Sequence, residues 1–545
     1  MSSRADEVSV YEAFEGTRRR SGAQPFLHIP VHCAGGLVDL TYEQAGCAIE
    51  RTIMGYRQAG YGPGYHVALL LDNRAEFYIH WLALNAIGAG VVPIGASLTA
   101  EEARYLLEHG DVDLVVHLPE FQALAERATH PIGGLAIATP QAVDAQGAPR
   151  AAPRRFAGGQ PAGAAIVFTS GSTGRPKGCV LSNEYFLTFG NWYRDLGGRC
   201  TLHPEAERLI TPLPLNHVNA LGFSSMGMIL TGGCIIQLDR FRSTEWWPTV
   251  IESRATLTHY LGVMPAMLLQ LPPHPLERSH SLRFGFGGGV RGALHASFEE
   301  RFGFPLIEAW AMTETGGAGT ISTHAGERHV GSGCIGKPSA RYAEAEIVDD
   351  DGEPSPAEAV GELVVRATGS DPCRGFFSGY YKDRAATENA WQGGWLHTGD
   401  LARRGADGAL FFVGRRKQMI RRSGENISAA EVEAVLAVDP HVKEAAVVPV
   451  PDEIREEEVF AFIVVPADVM PTGALADAIL RGAAERLAYY KLPGYFAFVD
   501  SLPVTATQKP RYGALAELAR SLIDGPSPSL HDVRRAKRNH GPSRL

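Results

Sequence analysis

The stretch Phe168-Thr-Ser-Gly-Ser-Thr-Gly-Arg-Pro-Lys-Gly178 begins where an apolar run, Ala164 to Phe168, gives way to small and hydroxylated residues. The apolar run is typical of a short buried strand. Glycines in such a loop turn freely and let the backbone approach a ligand closely. Converging hydroxyls, backbone N–H groups and a lysine suit a polyphosphate. The predicted contacts are Thr169, Ser170, Gly171, Ser172, Thr173, Gly174 and Lys177.

The spacing of this loop differs from two common phosphate-binding patterns. Gly178 follows Lys177, so the loop is not a Walker A sequence, and it lacks the G-x-G-x-x-G dinucleotide pattern. A flexible surface linker rich in Ser and Gly is the alternative. The apolar strand that leads directly into the loop favours a binding site.

Composition limits the class of protein. The chain has 545 residues, 45% hydrophobic and 20% charged, which is enough for two or more domains. A net charge of −9 argues against nucleic acid as the main partner. Seven scattered cysteines without a C-x-x-C pair suit a reducing compartment. The N-terminus is polar, so no secretory signal is expected, and no run of about 18 apolar residues predicts a membrane span. The expected location is therefore the cytoplasm.

Strands and helices alternate in the first part of the chain, which predicts an α/β fold with a parallel sheet. Strands are expected at His66–Leu71, Val91–Ile94 and Leu114–His117, with a helix over Ala75–Ile87. The Thr99-Ala-Glu-Glu102 stretch has the form of a capping box, so a helix is expected from there to about Gly110. Residues 128–163, rich in Ala, Gly and Pro, are predicted to be a loop or mobile connection.

Four further stretches carry candidate chemistry. Pro212-Leu-Pro-Leu-Asn-His217 places a histidine after a strand-like run, although a lone histidine is more often structural. A predicted strand, Leu282–Phe286, ends in Gly287-Gly288-Gly289, either a tight turn or a close approach to a flat base. Leu306-Ile-Glu-Ala-Trp-Ala-Met-Thr-Glu-Thr315 offers Glu314, a hard ligand suited to Mg²⁺, or merely a solvated pair at a helix start. Gly393-Gly-Trp-Leu-His-Thr-Gly-Asp400 places a carboxylate after a tight turn, able to accept two hydroxyls.

Together these stretches resemble, in order, the signatures of the adenylate-forming superfamily: acyl-CoA synthetases, peptide-synthetase adenylation domains and luciferases. The block Gly424-Glu-Asn-Ile-Ser and the run Val450-Pro-Asp-Glu-Ile-Arg-Glu-Glu are most similar to the crotonobetaine/carnitine–CoA ligase-like branch. The resemblance covers about residues 10–520. It departs from the superfamily pattern at Trp310, Ala311 and Gln508, where the pattern has Tyr, Gly and Gly.

The resemblance implies a role for each matching residue. His217 would line the carboxylate site, Gly287–Gly289 and Trp310 would hold adenine, and Thr313 would bind phosphate oxygens. Glu314 would hold Mg²⁺. The remaining roles belong to Asp400 and Arg415 at the ribose, Lys417 at a hinge, Gly424 beside the pantetheine of CoA, and Lys509 at the α-phosphate.

The domain organisation expected from these matches has a large domain of stacked α/β subdomains and a small mobile α+β domain. The large domain takes residues 1–413, the hinge 414–417 and the small domain 418–524, with a polar loop over Arg421–Ile427. Residues 525–545, Pro/Ser-rich and then basic, are expected to be disordered.

The function that the resemblance implies is ATP-dependent ligation of a carboxylic acid to CoA through an acyl-AMP intermediate, with ATP, Mg²⁺ and CoA required. The alternatives are transfer to a carrier-protein thiol, a catalytically inactive homologue and a luciferase-like oxygenase. No carrier domain follows in this sequence, which favours free CoA. The pocket candidates for the acid are His217, Val218, Asn219, Val263, Trp310 and Ala311, and Trp192, Tyr193 and Trp310 are available to face an ammonium group.

Overall fold

Two compact units make up the chain in the computed structural model. The first comprises Met1–Ala96, Leu107–Phe168 and Gly178–Arg416, and the second comprises Ser97–Leu106, Thr169–Lys177 and Lys417–Leu545. The structure describes residues 9–143, 165–169, 175–290, 292–349, 351–415, 419–503, 510, 512–525 and 527–538. The large α/β part and the smaller α+β part confirm the predicted fold class.

The helices up to residue 390 are α1 Val10–Ser21, α2 Tyr42–Gln58, α3 Ala75–Ala86, α4 Ala100–His109, α5 Gln122–Thr129, α6 Asn183–Asp195, α7 Ser225–Thr231, α8 Trp246–Glu252, α9 Val263–Leu269, α10 Gly292–Phe302 and α11 Arg384–Ala390. Those after it are α12 Ala429–Leu436, α13 Gly473–Ala484, α14 Tyr512–Asp524 and α15 Arg534–Lys537. A π-helix spans Asn219–Ser224. Short 3-10 turns lie at Pro119–Phe121, His130–Ile132, Pro140–Ala142, Gly198–Cys200 and Tyr489–Lys491.

The strands before residue 340 are β1 Pro25–Ile29, β2 Val38–Thr41, β3 His66–Leu70, β4 Gly90–Pro93, β5 Leu114–His117, β6 Ala136–Ala138, β7 Ala165–Thr169, β8 Lys177–Leu181, β9 Arg208–Thr211, β10 Cys234–Gln237, β11 Leu257–Leu261, β12 Phe284–Gly288, β13 Leu306–Trp310, β14 Ile321–Ser322 and β15 Cys334–Pro338. Those after it are β16 Ala343–Val348, β17 Val360–Ala367, β18 Trp391–Gln392, β19 Trp395–Arg404, β20 Leu410–Arg415, β21 Met419–Arg422, β22 Glu425–Ser428, β23 Glu444–Asp452, β24 Glu456–Val464, β25 Tyr495–Phe498 and β26 Leu530–Asp532.

Local sequence signals start two helices, and the start of α4 is predicted above from its capping-box sequence. Thr41 and Gln44 bond reciprocally at the start of α2. At the start of α4, the backbone N–H of Thr99 donates to the Glu102 carboxylate at 2.9 Å, and the N–H of Glu102 donates back to the Thr99 hydroxyl at 3.3 Å. Both pairs are capping boxes, which satisfy backbone donors that a helix start leaves unpaired.

Two sheets form the framework for the candidate site residues of the first unit. One is six-stranded, in the order β6-β5-β3-β4-β7-β8, with parallel pairing of β3 to both β4 and β5. The other has 14 strands, in the order β16-β17-β19-β20-β15-β14-β13-β12-β11-β9-β10-β1-β2, with β18 paired to β19. Its neighbours β11, β12 and β13 run parallel, so their carboxyl ends lie at one edge, where ligands of α/β sheets usually bind.

The small sheet has the order β22-β21-β24-β25-β26, with β23 paired to β24. Alternate residues of β24 belong to different cores: Val459, Ala461 and Ile463 pack with α12 and α13, and Phe460 and Phe462 pack with α14. Because side chains alternate between the faces of a strand, a run apolar on both faces predicts a sheet covered on both sides.

Three expectations about irregular segments are wrong. The region 128–163 contains β6, which pairs with β5. The polar loop Arg421–Ile427 is a hairpin, with Arg422 paired to Glu425. Residues 527–538 of the expected disordered tail form β26 and α15, because β26 adds to the edge of the small sheet and Val533 enters its core. No helix among the described residues is long and apolar enough to cross a membrane.

Candidate functional site

The predicted phosphate loop connects two strands of the six-stranded sheet. Thr169 ends β7 and Lys177 begins β8, whereas Ser170, Gly171, Ser172, Thr173 and Gly174 lie outside the described residues. Gly178 has a packing role: a Cβ there would lie 2.7 Å from Cγ2 of Ile166, closer than such contacts occur. Packing against Ile166 is therefore sufficient to explain the glycine at this position, without any contact with a ligand.

The glycine run at the end of β12 is explained by its neighbouring strands. A Cβ on Gly287 would lie 2.1 Å from the carbonyl oxygen of Tyr260, and one on Gly288 would lie 2.6 Å from that of Ala309. Gly289 has φ of +84°, a conformation that glycine adopts without strain. Steric exclusion by β11 and β13 thus requires Gly287 and Gly288, and the backbone conformation favours glycine at 289. Contact of the three glycines with adenine stays a prediction.

Glu308 is a half-buried carboxylate that the sequence did not single out. Its oxygens accept hydrogen bonds from the Tyr260 hydroxyl at 2.6 Å, the Gly289 N–H at 3.1 Å and the Val290 N–H at 3.4 Å. Burial raises the pKa of Glu308, and the hydrogen bonds and the nearby His295 oppose that rise. Glu308 therefore fixes the backbone that follows the glycine run. The usable signal was a charged residue within an otherwise apolar strand.

Trp310 and Asp400 come together although 90 residues separate them. The indole Nε1 of Trp310, at the end of β13, donates to Oδ2 of Asp400 at 2.8 Å, and both side chains are buried. Asp400 lies within β19, and not after a tight turn as expected, and its Cα partner across the strand pair is that of Arg415 in β20. The two predicted ribose-binding residues therefore occupy paired backbone positions. Trp310, expected only to stack, is also a hydrogen-bond donor.

Glu314 is buried beside a tyrosine. The Tyr380 hydroxyl donates to Oε1 of Glu314 at 2.8 Å, and the Tyr185 hydroxyl donates to the carbonyl oxygen of Thr313 at 2.7 Å. Burial and the charge of Glu314 raise the pKa of Tyr380, so its proton stays on the phenol. Tyr380 was missed because it is distant in sequence and has no recognisable motif. It orients the carboxylate that was predicted to hold Mg²⁺.

The donor set around Glu314 fits a magnesium ion that is bound with a substrate. Among the residues that the structure describes, no group of three or more His, Cys, Asp or Glu side chains could hold a metal. Mg²⁺ commonly takes only one or two carboxylates and completes its octahedron with water and substrate phosphates. A single buried carboxylate such as Glu314 is consistent with that mode of binding.

His217 is half-buried and lies just before the π-helix Asn219–Ser224. Its carbonyl oxygen accepts a hydrogen bond from the Leu221 N–H of that helix at 3.0 Å. Oδ1 of Asn219 is buried without a hydrogen-bond partner among the described residues. An unpartnered buried acceptor is costly and rare in folded proteins, and such atoms recur at functional sites. This atom supports the predicted place of Asn219 in the acid pocket.

The aromatic residues considered for an ammonium cage are only partly available. The Tyr193 hydroxyl pairs with Nε2 of His259 at 3.0 Å, and Nδ1 of His259 pairs with the Ser224 hydroxyl at 2.8 Å. Tyr193 is fully buried in this network, and burial lowers the pKa of His259 to about 3, so the imidazole is neutral. Trp310 bonds to Asp400. Two of the three residues considered for the cage, Tyr193 and Trp310, thus use their polar atoms in hydrogen bonds within the protein.

Gly424 occupies the tip of a hairpin in the second unit. Ser423 and Gly424 separate the paired residues Arg422 and Glu425 and have φ of +53° and +85°. Positive φ at both central residues is the requirement of a type I′ turn, which suits the twist of a hairpin. Lys417 and Lys509, the predicted hinge and catalytic lysine, lie outside the described residues, and of Arg415 the structure describes only the backbone.

Comparisons with known proteins identify the family of the chain. Residues 18–381 match the family described as AMP-binding enzyme, and residues 431–509 match the AMP-binding enzyme C-terminal domain. The crotonobetaine/carnitine–CoA ligase of Salmonella paratyphi B is 31% identical over 88% of this chain and 93% of its own length. That of Proteus mirabilis is 30% identical over 87% and 92%.

Two solved structures are similar over nearly their full length. An o-succinylbenzoate CoA synthetase from Bacillus subtilis has a TM-score of 0.79 at 24% identity, covering 93% of this chain and 98% of that one. The amide bond synthetase from Marinactinospora thermotolerans has a TM-score of 0.78 at 27% identity, covering 93% and 99%.

Proposed function

This chain belongs to the family of AMP-binding enzymes, and we infer that it is an AMP-forming carboxylic acid–CoA ligase. A carboxylate is a poor acyl donor, because its oxygen is a poor leaving group. Attack of the carboxylate on the α-phosphorus of ATP forms an acyl-adenylate and releases pyrophosphate. Attack of the CoA thiol on the acyl carbon then releases AMP. Neither step needs a protein nucleophile, so catalysis consists of positioning and charge stabilisation.

The contact between Trp310 and Asp400 is the observation that carries this function. It places the buried Asp400 carboxylate next to the Trp310 side chain at the carboxyl end of β13. The backbone of Asp400 is paired with that of Arg415 in the neighbouring strand. A carboxylate accepts hydrogen bonds from two vicinal hydroxyls at once, and an aromatic face stacks on a base. The pair therefore suits the ribose and adenine of one nucleotide. Gly287–Gly289, of which Gly289 is held by Glu308, are assigned to the adenine side of this site.

We assign the phosphates to residues from several stretches of the chain. Lys177 and the loop Thr169–Gly174 hold the departing pyrophosphate, and Thr313 bonds phosphate oxygens. Glu314, oriented by Tyr380, would hold Mg²⁺, which stabilises the negative charge of the phosphates when bound. Lys509 is assigned to the α-phosphate and the acid's carboxylate, and His217 to the wall of the acid site.

The second half-reaction uses the second unit. Gly424, at the tip of its type I′ turn, offers a backbone without a side chain to the pantetheine arm of CoA. Rotation about Lys417 would exchange Lys509 for this turn between the two steps, a hinge motion of the kind common in enzymes with lids and mobile domains. The seven free cysteines suit a reducing compartment, so we place the reaction in the cytoplasm.

An acid panel with CoA tests this function. Formation of AMP that requires both an acid and CoA would support it, and the panel should include crotonobetaine and carnitine, which the relatives' names indicate. Turnover with a carrier-protein thiol or an amine, combined with no turnover with CoA, would reassign the acceptor. The amine arm is included because the amide bond synthetase is structurally similar. No pyrophosphate release with any acid would contradict the activity altogether.

A further inference from the structure

The C-terminal segment 527–538 lies beyond the part of the chain that matches the family's C-terminal domain, which ends at residue 509. It is nevertheless built into the small sheet. β26 pairs with β25, Val533 N–H donates to the carbonyl oxygen of Gly494 at 3.0 Å, and Val533 is buried in the core with α12 and α13. The segment therefore has a fixed position, which allows it to carry a function.

Lys537, on the last helix of this segment, enters the interior of the small domain with its charged end. Its side chain is 1% exposed, and Nζ donates to Oε1 of Glu458 at 2.7 Å and to the carbonyl oxygen of Leu492. A lysine is rarely buried unless it is paired. The Glu458 side chain is equally buried, so both partners are removed from bulk solvent.

Glu458 joins Lys537 to the hairpin. Nε of Arg422 lies 3.0 Å from each carboxylate oxygen of Glu458, and the Arg422 side chain is 4% exposed. Both basic groups also lie over the ring of Tyr489, Arg422 at 5.5 Å and Lys537 at 5.8 Å from its centroid. Gly494 leaves room for the carboxylate, since a Cβ there would lie 2.5 Å from Cγ of Glu458. One buried carboxylate thus accepts hydrogen bonds from two basic side chains that come from distant segments.

Arg422 is the residue that immediately precedes the Ser423–Gly424 turn. A two-residue turn has no length to absorb a shift, so its orientation follows its flanking pair, Arg422 and Glu425. The backbone on this side is further held by Ser423 N–H, which donates to the carbonyl oxygen of Arg455 at 3.0 Å. The side chain of Arg422 is consequently a support for the turn.

We propose that Lys537 is a positioning residue for the transfer of the acyl group to CoA: through Glu458 and Arg422 it holds the Gly424 turn in the orientation that receives the pantetheine arm. This inference rests on the proposed role of Gly424 in the second half-reaction. The segment 527–538 is then a functional extension of the small domain. A purely structural role, such as covering the edge of β25, would affect both half-reactions alike, because the small domain also carries Lys509.

The test compares the two half-reactions in the full-length Lys537→Met variant, which removes the Nζ hydrogen-bond donor and keeps the length of the side chain. Acid-dependent exchange of pyrophosphate into ATP measures the first step, and thioester formation against CoA concentration measures the second. We expect the KM for CoA to rise about tenfold, as small misplacements of reacting groups can cause, with exchange within about twofold of the parent. Lys443→Met, at an exposed lysine of the same domain, is the matched control.

Two further variants make the outcome decisive. Glu458→Gln keeps the size of the side chain, weakens both ion pairs and should raise the KM for CoA in the same selective way. Gly424→Ala tests the turn itself. A raised KM for CoA in Gly424→Ala with an unchanged KM in Lys537→Met and Glu458→Gln would overturn the inference and leave the proposed function intact. An unchanged KM for CoA in all three variants would overturn the role assigned to the turn. Equal losses of pyrophosphate exchange and thioester formation in Lys537→Met would show that Lys537 has only a structural role.

Discussion

The hydrogen bond from Trp310 to Asp400 can be removed without removing the aromatic ring. In Trp310→Phe the face that would stack on adenine remains, but the donor 2.8 Å from the Asp400 carboxylate is lost. A hydrogen bond to a charged group contributes about 1.5–3 kcal/mol, which corresponds to about 10- to 150-fold in an equilibrium constant. Asp400 has further interactions, so we expect the lower end, a rise of about tenfold in the KM for ATP.

Acid-dependent pyrophosphate exchange at varied ATP concentration measures this effect. Trp310→Leu removes the ring as well and should raise the KM further. Trp395→Phe is the matched control, because Trp395 starts the strand that contains Asp400 but its ring faces the Arg366 guanidinium. This variant should leave the KM for ATP unchanged. A normal KM for ATP in Trp310→Phe combined with a raised KM in Trp310→Leu would refute the orienting role of the indole N–H and leave stacking alone.

The remaining predictions concern charge and conformation. Glu314→Gln should lower adenylate formation at least about tenfold across a Mg²⁺ titration, because one charge-stabilising contact typically contributes a few kcal/mol; normal turnover would remove the metal role. Lys509→Ala should impair adenylate formation and spare transfer from supplied acyl-adenylate, whereas Lys417→Pro should do the reverse, and single-turnover assays of each step decide both. Burial lowers the pKa of Lys537 from 10.5 to about 7, with Glu458 opposing and Arg422 and Arg455 adding to the shift. Between those pH values the unfolded chain binds a proton that the folded chain does not, so the free energy of unfolding should rise with pH across this window. Urea unfolding at pH 7 and 9 measures the rise, which Lys537→Met should flatten; an equal rise in the variant would contradict it.

Sequence alone determined those features that depend on neighbouring residues. The capping boxes at Thr41 and Thr99 start their helices because each box satisfies donors within one turn of chain. Apolar runs such as His66–Leu70 form buried strands for the same local reason, since a run apolar on both faces needs cover on both. The order of the motifs was sufficient to indicate the family and the fold class.

Tertiary structure decided which distant residues meet, and for what purpose. Trp310 and Asp400, Glu314 and Tyr380, and Lys537 and Glu458 are joined by strand pairing and packing that no local pattern encodes. The same cause explains the wrong expectation for the C-terminal tail. A short polar segment has little preference of its own, and β26 gains its structure from the free edge of β25, which becomes available only when the small sheet has formed.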